Sequence, residues 1–185
     1  MCMTDDKTLS ELCSKGDGKA REELYRRYSP RLLSLCMRYM PDYPSAEDAM
    51  HDAFVRILES IGKYRWNGEG SLYSWMARVT INWCFDSVKK RRRIRTSLIE
   101  DADALGLLAD EGEDDVGRVP AEQLVRMVEE LPEGYRTVFK LFVIDGLSHK
   151  EIGKLLKIKE KSSASNLARA RAILAAKIKE YESDR

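Results

Sequence analysis

Histidine is scarce: His51 and His149 are the only two in 185 residues. The four cysteines, Cys2, Cys13, Cys36 and Cys84, contain no C-x-x-C spacing. A zinc site is therefore not expected, and the cysteines read as small buried hydrophobes kept reduced. No apolar run reaches the roughly 18 residues that a bilayer-spanning helix needs. The stretch from Met1 to Leu12 lacks the basic and apolar regions of a signal peptide, so a cytoplasmic chain is expected. Acids at Glu47, Asp48 and Asp52 stand close in sequence, but no histidine or further acid cluster completes a metal site. These absences argue against an enzyme, a cofactor or a small-molecule substrate.

Charge is plentiful but uneven. A net charge of +1 conceals seven Lys/Arg and one acid between residues 71 and 96, then eight acids and one arginine between 100 and 118. A block of +6 followed by one of −7 suggests a nucleic-acid surface beside an acidic linker. The chain's most informative stretch leads into the basic block. Ser71 is a suitable N-cap. Leu72, Trp75, Met76, Val79 and Trp83 then repeat at helical spacing as an apolar stripe. That stripe assigns Trp75 and Trp83 to the core. Arg78, Asn82 and Lys89 fall off it, and the helix runs into Lys89, Lys90, Arg91, Arg92 and Arg93. Cations beside aromatics suit phosphates and unpaired bases. A core helix with a solvated basic end fits the same residues.

The other elements follow from periodicity and punctuation. A short helix is predicted around Leu9 and Leu12, then a longer one that Asp17 can cap, with Pro30 expected to kink or split it. Ser45 is expected to cap the third helix, with Asp48 as its partner. The apolar face of that helix runs from Ala46 to Ile61, and its polar face shows Glu47, Asp48, His51, Asp52, Arg56 and Glu59. Gly62 is expected to end it, and residues 63–70 form a loop holding Tyr64 and Trp66. Residues 94–118 cannot bury much surface and read as a mobile linker. Beyond Pro120, Leu124, Val128 and Leu131 mark one helix, and Tyr135, Val138, Phe139, Phe142 and Val143 mark another, closed by Gly146. Ser148 and Glu151 form a capping box before a short helix. A tight turn and a last helix over 161–180 complete a helix-turn-helix pattern. Gly153 stands where a small residue is needed. Lys161, Ser162, Ser165, Asn166 and Arg169 lie on the outer side of the last helix, and are residue types that reach phosphates and base edges.

Taken together, these blocks resemble a bacterial sigma factor of the extracytoplasmic-function (ECF) group. The stretch from Glu23 to Leu32 resembles that family's opening helix. Ala46 to Ala49 with Asp52 to Arg56 resemble the helix that docks on the polymerase clamp. Ser74 to Asn82 with Asp86 resemble the helix that meets the −10 promoter element. Leu131 to Glu133, Gly146 to Ser148, Glu151 to Gly153 and Ala168 to Arg171 resemble the domain that reads the −35 element. The resemblance implies an all-α fold of two small helical domains: 1–95, a flexible acidic linker over 96–119, and 120–185. It also implies a non-catalytic factor that binds core RNA polymerase at its clamp and flap, selects promoter DNA and helps open it. An anti-sigma factor is the implied restraint.

The residue types, read beside the resemblance, give expected roles. Asp48, His51, Asp52 and Arg56 would meet polymerase. Asn82 would read a base outside the stack, with Tyr64 or Trp66 as a flat wall and Arg78, Lys89, Lys90, Arg91 and Arg92 on the backbone. Lys161, Ser162, Ser165, Asn166 and Arg169 would read the −35 element. Several positions depart from the family. His51 replaces a Gln, Lys157 replaces the turn Gly, and Ser163 replaces a buried Val. Ala164 and Asn166 replace basic residues. Lys157 is thereby expected to adopt positive φ at a cost of ~1 kcal/mol. A free-standing helix-turn-helix repressor is the alternative, although no heptad seam for a dimer is visible.

Overall fold

A computed structural model describes residues 4–92 and 119–183, with the side chains of residues 88–92 outside that description. The described residues hold eight α-helices and no strand. They divide into two compact units, one within Met1–Ile99 and the other within Glu100–Arg185. The acidic linker expected over 96–119 lies almost wholly outside the described residues.

The first unit comprises α1 (Asp6–Ser14), α2 (Gly18–Met37), α3 (Tyr43–Ser60) and α4 (Ser71–Arg92). α2, α3 and α4 pack on one another, and α1 lies against α2. Leu24, Leu32 and Leu35 of α2 meet Ile57 of α3 and Leu72, Met76 and Ile81 of α4 in a solvent-free core. Each such side chain contributes roughly 1.5–3 kcal/mol by leaving water. Asp5 caps α1 through the Thr8 N–H, and Asp17 caps α2 through the Ala20 N–H at 2.8 Å. Asp6 fastens α1 to α2, accepting from the Tyr28 hydroxyl at 2.6 Å and from Arg27 at 3.1 Å. Burial, and then the bond to Asp6, push the Tyr28 phenol up to about 12.

Two local expectations need correction, and for a third one of its two alternatives falls away. Pro30 does not split α2, which remains one helix. Proline lacks the N–H that would close one turn, but the packed core on both sides holds the helix together. Ser45 is not the cap of α3. Asp42 is, accepting from the Ser45 N–H at 2.8 Å, with Pro44 placed in the first turn where its missing N–H costs nothing. The third helix does not end at Gly62 but at Ser60, tightening into a 3₁₀ turn over Ile61–Lys63.

The second unit comprises α5 (Ala121–Glu129), α6 (Glu133–Phe139), α7 (His149–Leu156) and α8 (Glu160–Ser183). α6 and α7 pack against α8, with Val138, Leu141, Ile152, Leu167 and Ala170 at the centre. α6 widens into a π turn over Lys140–Ile144. The Asp145 N–H reaches the Lys140 carbonyl and the Leu147 N–H reaches the Leu141 carbonyl, around Gly146 at φ 69°. The wider turn shifts the apolar register. Val143, expected to face inward, is instead 48% exposed, beside Ile144 at 50%.

Candidate nucleic-acid and polymerase surfaces

The Ser71 hydroxyl makes three contacts in the loop ahead of α4. Ser71 Oγ donates to the Gly68 carbonyl at 2.6 Å. It is joined to the Tyr64 hydroxyl at 2.6 Å and accepts from the Asn67 N–H at 3.3 Å. Ser71 was expected to cap the helix; its hydroxyl is spent on the loop instead. Gly68 and Gly70 take φ of 92° and 73°, which a side chain with a Cβ adopts only at a cost. Tyr64 was one of two candidates, with Trp66, for the flat wall beside a base. It is buried, its ring tilted against Trp75 at 5.4 Å, because the hydroxyl pairing with Ser71 draws it inward. Trp66 is the exposed aromatic of the loop, at 37%.

Along α4, Arg78 and Asn82 are both exposed and, four residues apart, share a face. Trp75 and Trp83, assigned to the core by the apolar stripe, are only half-buried: the inward side of α4 carries Leu72, Met76, Thr80, Ile81 and Cys84, which leaves both indoles at the edge of the core. Lys89, Lys90, Arg91 and Arg92 continue the helix, but their side chains lie outside the described residues.

On α3, Asp48, His51, Asp52 and Arg56 are all exposed. Two of them have partners within the unit. The Arg56 guanidinium lies over the Trp83 ring at 3.9 Å, and His51 Nε2 is 3.0 Å from the Tyr25 hydroxyl. Asp48 and Asp52 share their face with Val55, which is 55% exposed. This apolar group one turn beyond the two acids was missed in the sequence, where Val55 reads as one more residue of an amphipathic helix.

The second unit builds the helix-turn-helix. The Ser148 and Glu151 capping box is complete at the start of α7. Lys157 ends α7 at φ 60°, ψ 38°, the one non-glycine with positive φ among the described residues. A Cβ on Gly153 would sit 2.9 Å from the Ile158 carbonyl oxygen, so the tight turn admits only glycine without movement. Lys161, Ser162 and Ser165 are exposed on α8, and Asn166 and Arg169 are half-buried on the same side. The opposite side buries Ser163, Leu167 and Ala170. Ser163 is fully buried, and its Oγ lies 3.0 Å from His149 Nδ1. The His149 ring stacks on Phe142 at 4.4 Å. This pairing was not legible in the sequence.

Three cysteines, Cys13, Cys36 and Cys84, are buried thiols outside any disulfide. Cys36 and Cys84 bring their sulfurs to 3.7 Å between α2 and α4. The hydrogen bond from Cys84 holds the Cys36 thiol below its ordinary value, while burial pushes Cys13 up. Among the described residues, no group of three or more His, Cys, Asp or Glu is placed to hold a metal ion. No helix there is long and apolar enough to cross a membrane.

Comparison with known proteins agrees with this division. Residues 24–94 match the sigma-70 region 2 family, and residues 121–174 match sigma-70 region 4. The RNA polymerase sigma-H factor of Pseudomonas aeruginosa is 27% identical over 176 residues, covering 90% of each chain. The ECF sigma-E factor of Escherichia coli K12 is 27% identical over 184 residues, covering 94% of each. In fold, the chain is similar to the sigma factor RpoE of Bartonella quintana, solved with the anti-sigma factor NepR. That likeness has a TM-score of 0.51 at 16% identity, over 85% of this chain and 96% of the other. With both family sections matched in order and relatives aligned along nearly its whole length, the chain belongs to the extracytoplasmic-function group of RNA polymerase sigma factors.

Proposed function

We propose that this sigma factor binds core RNA polymerase through α3, reads and opens the −10 element with α4 and its preceding loop, and reads the −35 element with α8. The observation that carries the reading is the pairing of two different polar faces in one chain. The first unit exposes Arg78, Asn82 and the loop Trp66, a base-edge group and a ring suited to unpaired DNA. The second exposes Lys161, Ser162 and Ser165 on the outer side of a helix-turn-helix, suited to a duplex groove. Asn82 recognises the captured base, while Arg78 and the basic residues from Lys89 to Arg92 hold phosphates. Asn166 and Arg169 add base or phosphate contacts on the −35 side. Asp48, Asp52 and the exposed Val55 form the mixed acidic and apolar surface offered to polymerase.

The factor acts without catalytic groups or cofactor, in the cytoplasm, with the domains divided at 1–95, 96–119 and 120–185. The Bartonella relative was solved with an anti-sigma factor, which supports restraint of this chain by a partner of that kind. Pull-down with core polymerase followed by run-off transcription tests the reading. Specific transcripts are expected only when both are present. A gel shift separates the repressor alternative, since tight and specific DNA binding without polymerase favours a repressor. Lys89→Ala with Lys90→Ala should weaken DNA binding on every sequence and flatten its salt dependence. Asn82→Ala should impair −10 base preference while leaving polymerase binding intact.

A further inference from the structure

The Ser71 hydroxyl uses its full hydrogen-bonding capacity on the loop that presents Trp66. Its single proton goes to the Gly68 carbonyl, so the Tyr64 hydroxyl must donate to it, and the Asn67 N–H donates as well. These three partners lie on either side of Trp66 in the chain. Tyr64 is anchored in turn by its ring against Trp75. Gly68 and Gly70 supply positive φ but little stiffness of their own. Arg65 and Ser74 bond to carbonyls at the two ends of the loop, at Gly62, Tyr64 and Gly70, but the Ser71 hydroxyl is the side-chain group that joins the chain before Trp66 to the chain after it.

We propose that Ser71 is a positioning residue for promoter opening: its hydroxyl fixes the 64–70 loop so that Trp66 is preorganised to stack on an unpaired base. The proposal rests on the −10 reading given above. Without the hydroxyl, the Tyr64 phenol and the Asn67 N–H lose their acceptor, and the Gly68 carbonyl keeps only the Ser71 N–H at 3.2 Å. Trp66 then samples many orientations, and ordering it on DNA costs affinity at the opening step alone.

The test is a double-mutant cycle on the polymerase holoenzyme, read with a fluorescent base analogue in the −10 element. Trp66→Ala should reduce open-complex formation by roughly fivefold to a hundredfold, the range of one base–aromatic stack. Ser71→Ala should give a smaller loss of the same kind, with core-polymerase affinity unchanged. The double variant should be no worse than Trp66→Ala, since Ser71 acts through the ring. Ser71→Thr, which keeps a hydroxyl, should restore opening. Tyr64→Phe removes one bond to the same oxygen while keeping the ring, and should give a weaker loss even if Ser71→Ala folds poorly. Additive losses, or normal opening by Ser71→Ala beside an impaired Trp66→Ala, would overturn the positioning role and leave the −10 reading standing. Normal opening by Trp66→Ala would overturn both.

Discussion

Lys157 ends α7 in a left-handed conformation that nearly every other residue here avoids, and replacing it by glycine should stabilise the second unit. With φ 60° and ψ 38°, its Cβ crowds the backbone at a cost of roughly 1–2 kcal/mol. Glycine removes that crowding but loses about 0.5–1 kcal/mol more conformational entropy on folding. The net gain expected for Lys157→Gly is about 0.5–1 kcal/mol. Because the strain sits between α7 and α8, the assay should be local. Hydrogen exchange of α7 and α8 amides in the intact chain reports opening of this unit without interference from the first. Protected amides should exchange roughly two- to fivefold more slowly in the variant. Lys157→Ala is the decisive control, because it removes the lysine side chain but keeps the Cβ. Stabilisation by Ala equal to that by Gly would refute the strain argument and place the effect in the lysine's charge or chain.

Other expectations follow from the same geometry. Gly153→Ala places a methyl 2.9 Å from the Ile158 carbonyl and should destabilise the helix-turn-helix by about 1–3 kcal/mol, measurable by urea unfolding; an unchanged midpoint would mean the turn relaxes freely. Asp52→Lys reverses an exposed charge and should lower core-polymerase affinity by several kcal/mol if central to that contact, while circular dichroism stays native. Unchanged binding by the folded variant would remove this face of α3 from the interface. Tyr28 titrates at about 12 in the folded chain, above the ordinary value of 10.0. The neutral phenol is thus favoured by folding, and its contribution is complete below pH 10 and lost as pH rises towards 12, up to ~3 kcal/mol. Tyr28→Phe should flatten the fall in stability over that alkaline window, and an equally steep fall in the variant would contradict the assignment.

Features governed by neighbours in sequence were legible. The Ser148 and Glu151 capping box and the small-residue requirement at Gly153 each depend on a few consecutive residues, and both appear; the positive φ at Lys157, which the family resemblance implied, appears as well. Cap choice was harder where two candidates compete. Asp42 and Ser45 are both suitable, and the helix extends to the earlier one because Pro44 tolerates the first turn. The direction of an aromatic in a loop was not legible. Tyr64 and Trp66 look alike in sequence, and only the hydroxyl partner at Ser71 sends one inward and leaves the other out. Pairings across the fold were invisible for the same reason. Cys36 with Cys84 and His149 with Ser163 are joined by helix packing, which no local spacing encodes.

The bond between His149 and Ser163 alters what counts as a transferable unit in this protein. A recognition helix is often imagined as a cassette, removable and replaceable without regard to its support. Here the cassette is incomplete without a residue of the supporting helix. Exchanging α8 for a helix with an apolar side chain at position 163 would take from the half-buried His149 the Oγ partner of its Nδ1, with Phe142 stacked against the ring. A chimera designed to redirect promoter choice should therefore carry position 149 along with α8, and histidine and serine should change together or not at all.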